Sequence, residues 1–193
     1  MENKKRCAWA KSPEEIKYHD KEWGVPEYND KKLFELLILE SFQAGLSWLT
    51  ILKKRAYFRE AFDNFDYNKI AGYSTIKINQ LLNNRGIIRN KKKIDAAVKN
   101  ASVFKQVQKE YGSFKTYFWS FTDFKIIINT WENASEVPAK TSLSDKISKD
   151  MKQKGFTFFG STICYSFMQA VGMVNDHEVN CFRYNELLNA INK

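Results

Sequence analysis

Helix-start and helix-stop signals recur along the whole of this chain, while alternating apolar and polar runs that would make half-buried strands are nearly missing. Ser12-Pro-Glu-Glu15 is a capping box with proline at the first helical position, and it predicts a helix from about Pro13 to Lys21. Asn29-Asp30 predicts the start of a second helix, which carries the apolar segment Leu33 to Ala44 and can stop in a left-handed turn at Gly45. Ser47 caps a third, reaching about Phe62. Further helices are expected at Tyr67 to Gly72, Thr75 to Asn84, Lys91 to Tyr111, Phe114 to Phe121, Ser142 to Lys154 and Ser161 to Val171. Lys125 to Thr130 is the one strand-like run, short enough to be an extended connector, and Pro138 marks a loop within Thr130 to Thr141. The expected fold class is all-α.

Apolar residues make up 44% of the 193 residues and aromatics 15%, enough for a packed interior, which excludes a disordered or low-complexity chain. No apolar stretch approaches the roughly 20 residues of a membrane helix. The start, Met1 to Cys7, lacks the apolar core of a signal peptide, so a cytoplasmic protein away from membranes is expected. Three cysteines make a disulfide framework improbable and leave the thiols free or holding metal. The net charge of +9 suits a polyanionic partner, although a merely soluble basic protein fits that balance equally well. Lys53-Lys54-Arg55 and Arg89 with Lys91, Lys92 and Lys93 read as solvated helix faces.

Four of the five histidines and cysteines fall into two groups near opposite ends: Cys7 with His19, and His177 with Cys181. On a helix, residues four apart leave the same face, so His177 and Cys181 are expected to form a chelating pair. Two thiolates and two imidazoles would complete a closed tetrahedral zinc shell that staples the first helix to the end of the chain. Satisfied histidines and small buried cysteines fit the same spacing. Cys164, in an apolar helix, reads as core.

Along the second helix Leu33, Leu36, Leu37, Glu40 and Ala44 share one side, which puts Glu40 among leucines. A carboxylate there is costly unless paired, hydrogen-bonded or neutralised, and it becomes a candidate for ligand recognition; a structural salt bridge is the alternative. Glu35 is expected to be simply solvated. Trp48, just beyond the helix stop, can reach the same pocket, and Trp9, Tyr18 and Trp23 add flat surfaces of the kind that hold a base removed from a duplex. Any one of these rings, taken singly, is more simply a core residue.

Helix, Gly155 to Gly160, helix has the outline of a helix-hairpin-helix. Glycines permit close backbone approach, and the free N–H groups at the helix start from Ser161 can hold a DNA phosphate, with Lys152 and Lys154 nearby. An ordinary antiparallel helix pair fits this spacing as well.

Several blocks together carry a resemblance: Arg6-Cys-Ala-Trp9, Tyr18-His-Asp-Lys-Glu-Trp-Gly-Val-Pro26, Leu39-Glu40, Gln43-Ala-Gly-Leu-Ser-Trp48, Gly86-Ile-Ile-Arg-Asn90, Gly160-Ser-Thr-Ile-Cys-Tyr-Ser-Phe-Met-Gln-Ala170 and Asn175-Asp-His177. Over nearly its whole length the chain resembles the 3-methyladenine DNA glycosylase I family. The resemblance implies a helix-hairpin-helix DNA glycosylase fold, one unit over residues 1–193 with two helical lobes sharing a cleft and the hairpin at about 142–172. It implies a structural Zn2+ on Cys7, His19, His177 and Cys181. It also implies a base pocket in which Glu40, the catalytic candidate, bonds the adenine edge while Tyr18, Trp48 and Trp9 surround the ring. Gly155, Gly160, Ser161 and Thr162 become the DNA-backbone contacts. The implied partners are double-stranded DNA containing 3-methyladenine and the free base as product, with the enzyme expected to be a monomer.

Many members of the wider superfamily keep a catalytic aspartate beyond the second hairpin helix; its counterpart here is Asn175, and Asp176 is expected to point elsewhere. Ser161 and Thr162 stand after the hairpin where bifunctional members carry a lysine, so no lyase activity is expected. A zinc-stapled DNA-binding module without catalysis is the rival reading.

Overall fold

The computed structural model describes residues 4–191. The chain forms α1 (Pro13–Lys21), α2 (Asp30–Gln43), α3 (Trp48–Ala61), α4 (Tyr67–Ile70), α5 (Thr75–Asn83), α6 (Lys91–Tyr111), α7 (Phe114–Trp119), α8 (Ser142–Gln153), α9 (Ser161–Ala170) and α10 (Phe182–Ile191). Local chemistry accounts for the starts. The Ser12 hydroxyl accepts from the Glu15 N–H and the Glu15 carboxylate accepts from the Ser12 N–H, closing the capping box of α1. Asn29, Ser47, Ser74, Asn90, Ser113 and Thr141 cap α2, α3, α5, α6, α7 and α8 in the same manner. Among the described residues no helix is long and apolar enough to cross a membrane.

Three expectations about secondary structure need correction. The turn from His177 to Cys181 is not helical, because α10 begins only at Phe182. The run around Ile127 is more than a connector: β1 (Ile127–Ile128) pairs in parallel with β2 (Val174–Asn175). Its partner lies far along the chain in a segment without alternation, so local pattern could not reveal it. The Phe114 helix stops at Trp119 and tightens into a 3-10 turn over Ser120–Thr122.

The fold is organised around α2, which packs against α3, α6, α7 and α9 and buries every residue from Leu33 to Phe42. Phe34 meets Phe104 edge-on at 5.1 Å, and Phe104 stacks on Phe114 at 4.3 Å, which ties α2 through α6 to α7. Encirclement also overturns the solvated reading of Glu35. Its carboxylate is buried between Arg55 (2.7 Å) and Arg59 (2.9 Å), one turn apart on α3, and Arg55 reaches on to Glu22 at 2.7 Å. The basic clusters are likewise not plain solvated faces. Lys93 is buried, and its ammonium donates to the carbonyls of Phe42 (2.8 Å) and Ala44 (2.6 Å), closing the C-terminus of α2; burial lowers its pKa.

The end of α9 docks on the segment after α1, where the Gly24 N–H donates to Gln169 O and the Glu27 N–H to Val171 O. Gly172 sits in this seam at φ +69°, and a Cβ there would lie 2.4 Å from the carbonyl carbon of Val25. Gly172→Ala is therefore expected to lower unfolding free energy by roughly 3 kcal/mol or more, combining left-handed strain with a clash against backbone. Urea denaturation would measure this, and an unchanged midpoint would contradict it.

Candidate functional site

A cavity of about 450 Å³ lies between the N-terminal helices and α9, and all four residues expected around a ring, Trp9, Tyr18, Glu40 and Trp48, line it. Trp23 joins them, edge-on to Trp9 at 5.1 Å, while Tyr18 and Trp48 sit 5.2 Å apart. The position of Glu40 follows from α2: a helix buried on every side has no solvated face to offer a carboxylate. Glu40 is 5% exposed, and burial alone pushes its pKa up to about 8. The Tyr18 hydroxyl and the Trp48 indole N–H are buried without partners. Burial, and then the charge of Glu40, raises the Tyr18 pKa well above its ordinary value. The cavity therefore offers one acid and two donors with nothing to bind.

Further lining residues carried no signal in local periodicity: Ser166 and Gln169 from α9, Asp176 and Glu178 after β2, and the loop residues Ala134 and Val137. Asp176 requires a correction. Side chains alternate at the end of β2, so Asn175 lines a second cavity, with Gly24 and Leu187, while Asp176 lines the one with Glu40. Among the described residues, four carboxylates (Glu15, Glu40, Asp176 and Glu178) and no lysine or arginine line this cavity, in a chain of net charge +9.

The ligand atoms of Cys7, His19, His177 and Cys181 lie within 4.8 Å of one another, all on buried residues. Bond lengths of about 2.3 Å to sulfur and about 2.0–2.1 Å to nitrogen place a sulfur and a nitrogen of one tetrahedral shell about 3.5 Å apart. The structure has Cys7 Sγ to His177 Nδ1 at 3.5 Å, Cys181 Sγ to His19 Nε2 at 3.4 Å and Cys181 Sγ to His177 Nδ1 at 3.7 Å. The donor set fits. Outer partners orient both rings: Asp20, itself gripped by Arg6, meets His19 Nδ1 at 2.8 Å, and the Trp23 carbonyl lies 3.2 Å from His177 Nε2. His177 and Cys181 do converge, through a turn and not a helix face.

Between α8 and α9 the chain turns through Gly155, at φ +105°, a conformation suited to glycine. Gly160 caps α9 with no side-chain hydrogen bond, and a Cβ there would meet nothing within 4 Å. Ser161 lines a groove with Asp145, Ser148, Lys149, Lys152 and Gln153, and Thr162 is exposed. Lys154 turns away to Glu110 at 3.0 Å. The Asp145 carboxylate already occupies this end, held below its usual range by the Ser161 hydroxyl and then Lys140.

The methyladenine glycosylase family model matches residues 8–184. DNA-3-methyladenine glycosylase 1 of Escherichia coli is 47% identical over 180 residues, covering 93% of this chain and 96% of that protein. DNA-3-methyladenine glycosylase of Haemophilus influenzae is 46% identical over 177 residues, covering 91% and 96%. A crystal structure of 3-methyladenine DNA glycosylase I superimposes with a TM-score of 0.90 at 46% identity, covering 92% of this chain and 98% of that one. A second, from Staphylococcus aureus and concerned with the structural basis of 3-methyladenine recognition, gives 0.89 at 39% identity over 92% and 95%. A family match across most of the sequence, relatives aligned over nearly their full length and a shared backbone place this chain in the methyladenine glycosylase family.

Proposed function

We propose that this chain is a monofunctional DNA glycosylase of base-excision repair, which extrudes 3-methyladenine from alkylated double-stranded DNA and hydrolyses its N-glycosidic bond. The observation that carries this reading is Glu40, an uncompensated acid in an aromatic cavity beside two unpaired donors. Unmade hydrogen bonds of buried groups are costly, and a ligand with matching edges recovers the cost. A methylated adenine matches: the rings of Trp9, Tyr18 and Trp48 offer faces to it, and its exocyclic amine can donate to Glu40. N3-methylation makes the nucleotide cationic, which strengthens both contacts, whereas normal adenine is neutral and gains less.

Cleavage releases a neutral base, so the leaving group needs no protonation. The work lies in extruding the lesion, holding it and admitting water. In the empty cavity Glu40 is mostly the neutral acid at neutral pH, and a cationic ring provides the counter-charge under which it ionises. Capture of the lesion is therefore coupled to release of a proton.

The α8–α9 turn acts as a helix-hairpin-helix that grips the DNA backbone through Gly155, Gly160, Ser161 and Thr162, positioning the duplex without reading sequence. Cys7, His19, His177 and Cys181 would hold one structural zinc, which supplies a closed cross-link between chain segments and leaves no coordination position for a substrate. The chain works as one unit and as a monomer, since a lesion is a single asymmetric target.

The first test is release of free base from methylated duplex DNA, measured beside binding to the same duplex. Base release is expected, and binding without it would favour the non-catalytic module. Glu40→Gln should weaken capture of the methylated base by roughly tenfold to a hundredfold while leaving zinc content intact; unchanged affinity and excision would remove Glu40 from the pocket.

Stability carries an independent signature of Glu40. Its pKa rises from 4.5 to about 8 on folding, so within that window the folded state binds more protons than the unfolded one. The burial penalty is absent below pH 4.5 and grows by about 1.4 kcal/mol per pH unit until pH reaches about 8. Glu40→Gln abolishes this titration, so its stability advantage over the wild type should widen from about pH 5 to about pH 8 in parallel urea titrations. A constant gap would mean that the carboxyl is well solvated.

Elemental analysis should find about one zinc per chain. His177→Ala and Cys181→Ser should each lower zinc content and melting temperature together, and a zinc-free protein of undiminished stability would contradict the assignment.

A further inference from the structure

Asp176, 2% exposed, lines the cavity but is saturated. Its Oδ1 accepts from Asn129 Nδ2 at 2.6 Å and Trp131 Nε1 at 2.8 Å; its Oδ2 accepts from the Tyr165 hydroxyl at 2.6 Å and Gln169 Nε2 at 2.7 Å. With four donors around it, this carboxylate has no lone pair left to accept a proton from water or to attack carbon. It is well placed to orient. Gln169 lines the same cavity, and a side-chain amide has one donating end and one accepting end. A carboxylate only accepts, so Asp176 dictates that the amide nitrogen faces it and the amide oxygen faces away. The Gln169 backbone is fixed as well, its carbonyl accepting from Gly24 and Gly172 at 3.1 Å each.

We propose that Asp176 is a positioning residue that holds the Gln169 amide with its oxygen toward the cavity, where that oxygen accepts a hydrogen bond from the water attacking the sugar. The inference rests on the base-excision reading above. In the step itself the water oxygen bonds to the anomeric carbon, and the pair from the carbon–nitrogen bond leaves with the base. The cationic base departs neutral, and the surplus proton of the water passes to bulk solvent. An amide oxygen does not take that proton. Departure of the base leaves an electron-poor sugar carbon, for which placing a water matters more than deprotonating it.

The test compares wild type, Gln169→Ala, Asp176→Asn and the double variant in single-turnover release of 3-methyladenine from methylated duplex, alongside equilibrium binding of free 3-methyladenine. Gln169→Ala should slow release by roughly tenfold or more with base affinity held within about twofold. The double variant should be no slower than Gln169→Ala alone, because Asp176 acts through Gln169. Release by Gln169→Ala at the wild-type rate would overturn the proposal, as would base affinity falling in step with rate, or losses that multiply in the double variant. Should Asp176→Asn not fold, Gln169→Ala decides alone. Failure of the wild type to release base would instead sink the base-excision reading, and this inference with it.

Discussion

The complete enclosure of α2 is the constraint from which the rest of the structure follows. Every residue from Leu33 to Phe42 is buried, so each polar group along that stretch must be answered locally. Three different answers appear on one helix. Glu35 is met by two guanidiniums from α3, and the C-terminal carbonyls are met by the ammonium of Lys93. Glu40 is met by no cation or donor, and its proton is retained instead. The contrast between Glu35 and Glu40, five residues apart in the same helix, is that the first has its partners within the fold and the second has only a cavity.

The walls of that cavity and the Cys/His cluster are built from the same short segments. Cys7 is two residues from Trp9, His19 follows Tyr18, and His177 lies between Asp176 and Glu178. Outside α1 these segments have little regular structure to hold them, so a metal bound by the four residues would fix the adjacent cavity residues at the same time. His19 and His177 sit edge-on to Trp9 and Trp23 respectively, which carries that constraint into the aromatic wall.

Much of this was legible in the sequence because it is written locally. Capping side chains and stop glycines placed nine of the ten helices among the described residues, and the i, i+3, i+4, i+7 rule put Glu40 on the apolar side. What escaped depends on partners distant along the chain. No helical rule could say that α3 would return over Glu35 with Arg55 and Arg59, or that Lys93 would reach across to α2. The β1–β2 pair joins segments more than forty residues apart, and from that pairing comes the alternation that sends Asn175 backward and Asp176 into the cavity. The His177–Cys181 spacing gave the right pair for the wrong reason, since a turn can bring residues four apart together as a helix does.

Charge is also sorted by depth. The chain carries a surplus of nine positive charges, yet among the described residues the cavity that holds Glu40 is lined by four acids and no lysine or arginine. For a polyanionic partner this arrangement separates two tasks that would otherwise compete. Outward lysines attract phosphate at any sequence, while a cavity lined by acids disfavours that same phosphate and favours a cation. A methylated purine is the part of alkylated DNA that bears positive charge. On the proposed reading, the electrostatic pattern that would draw the backbone to the surface would also keep it out of the cavity and leave the damaged base as the part that the interior favours.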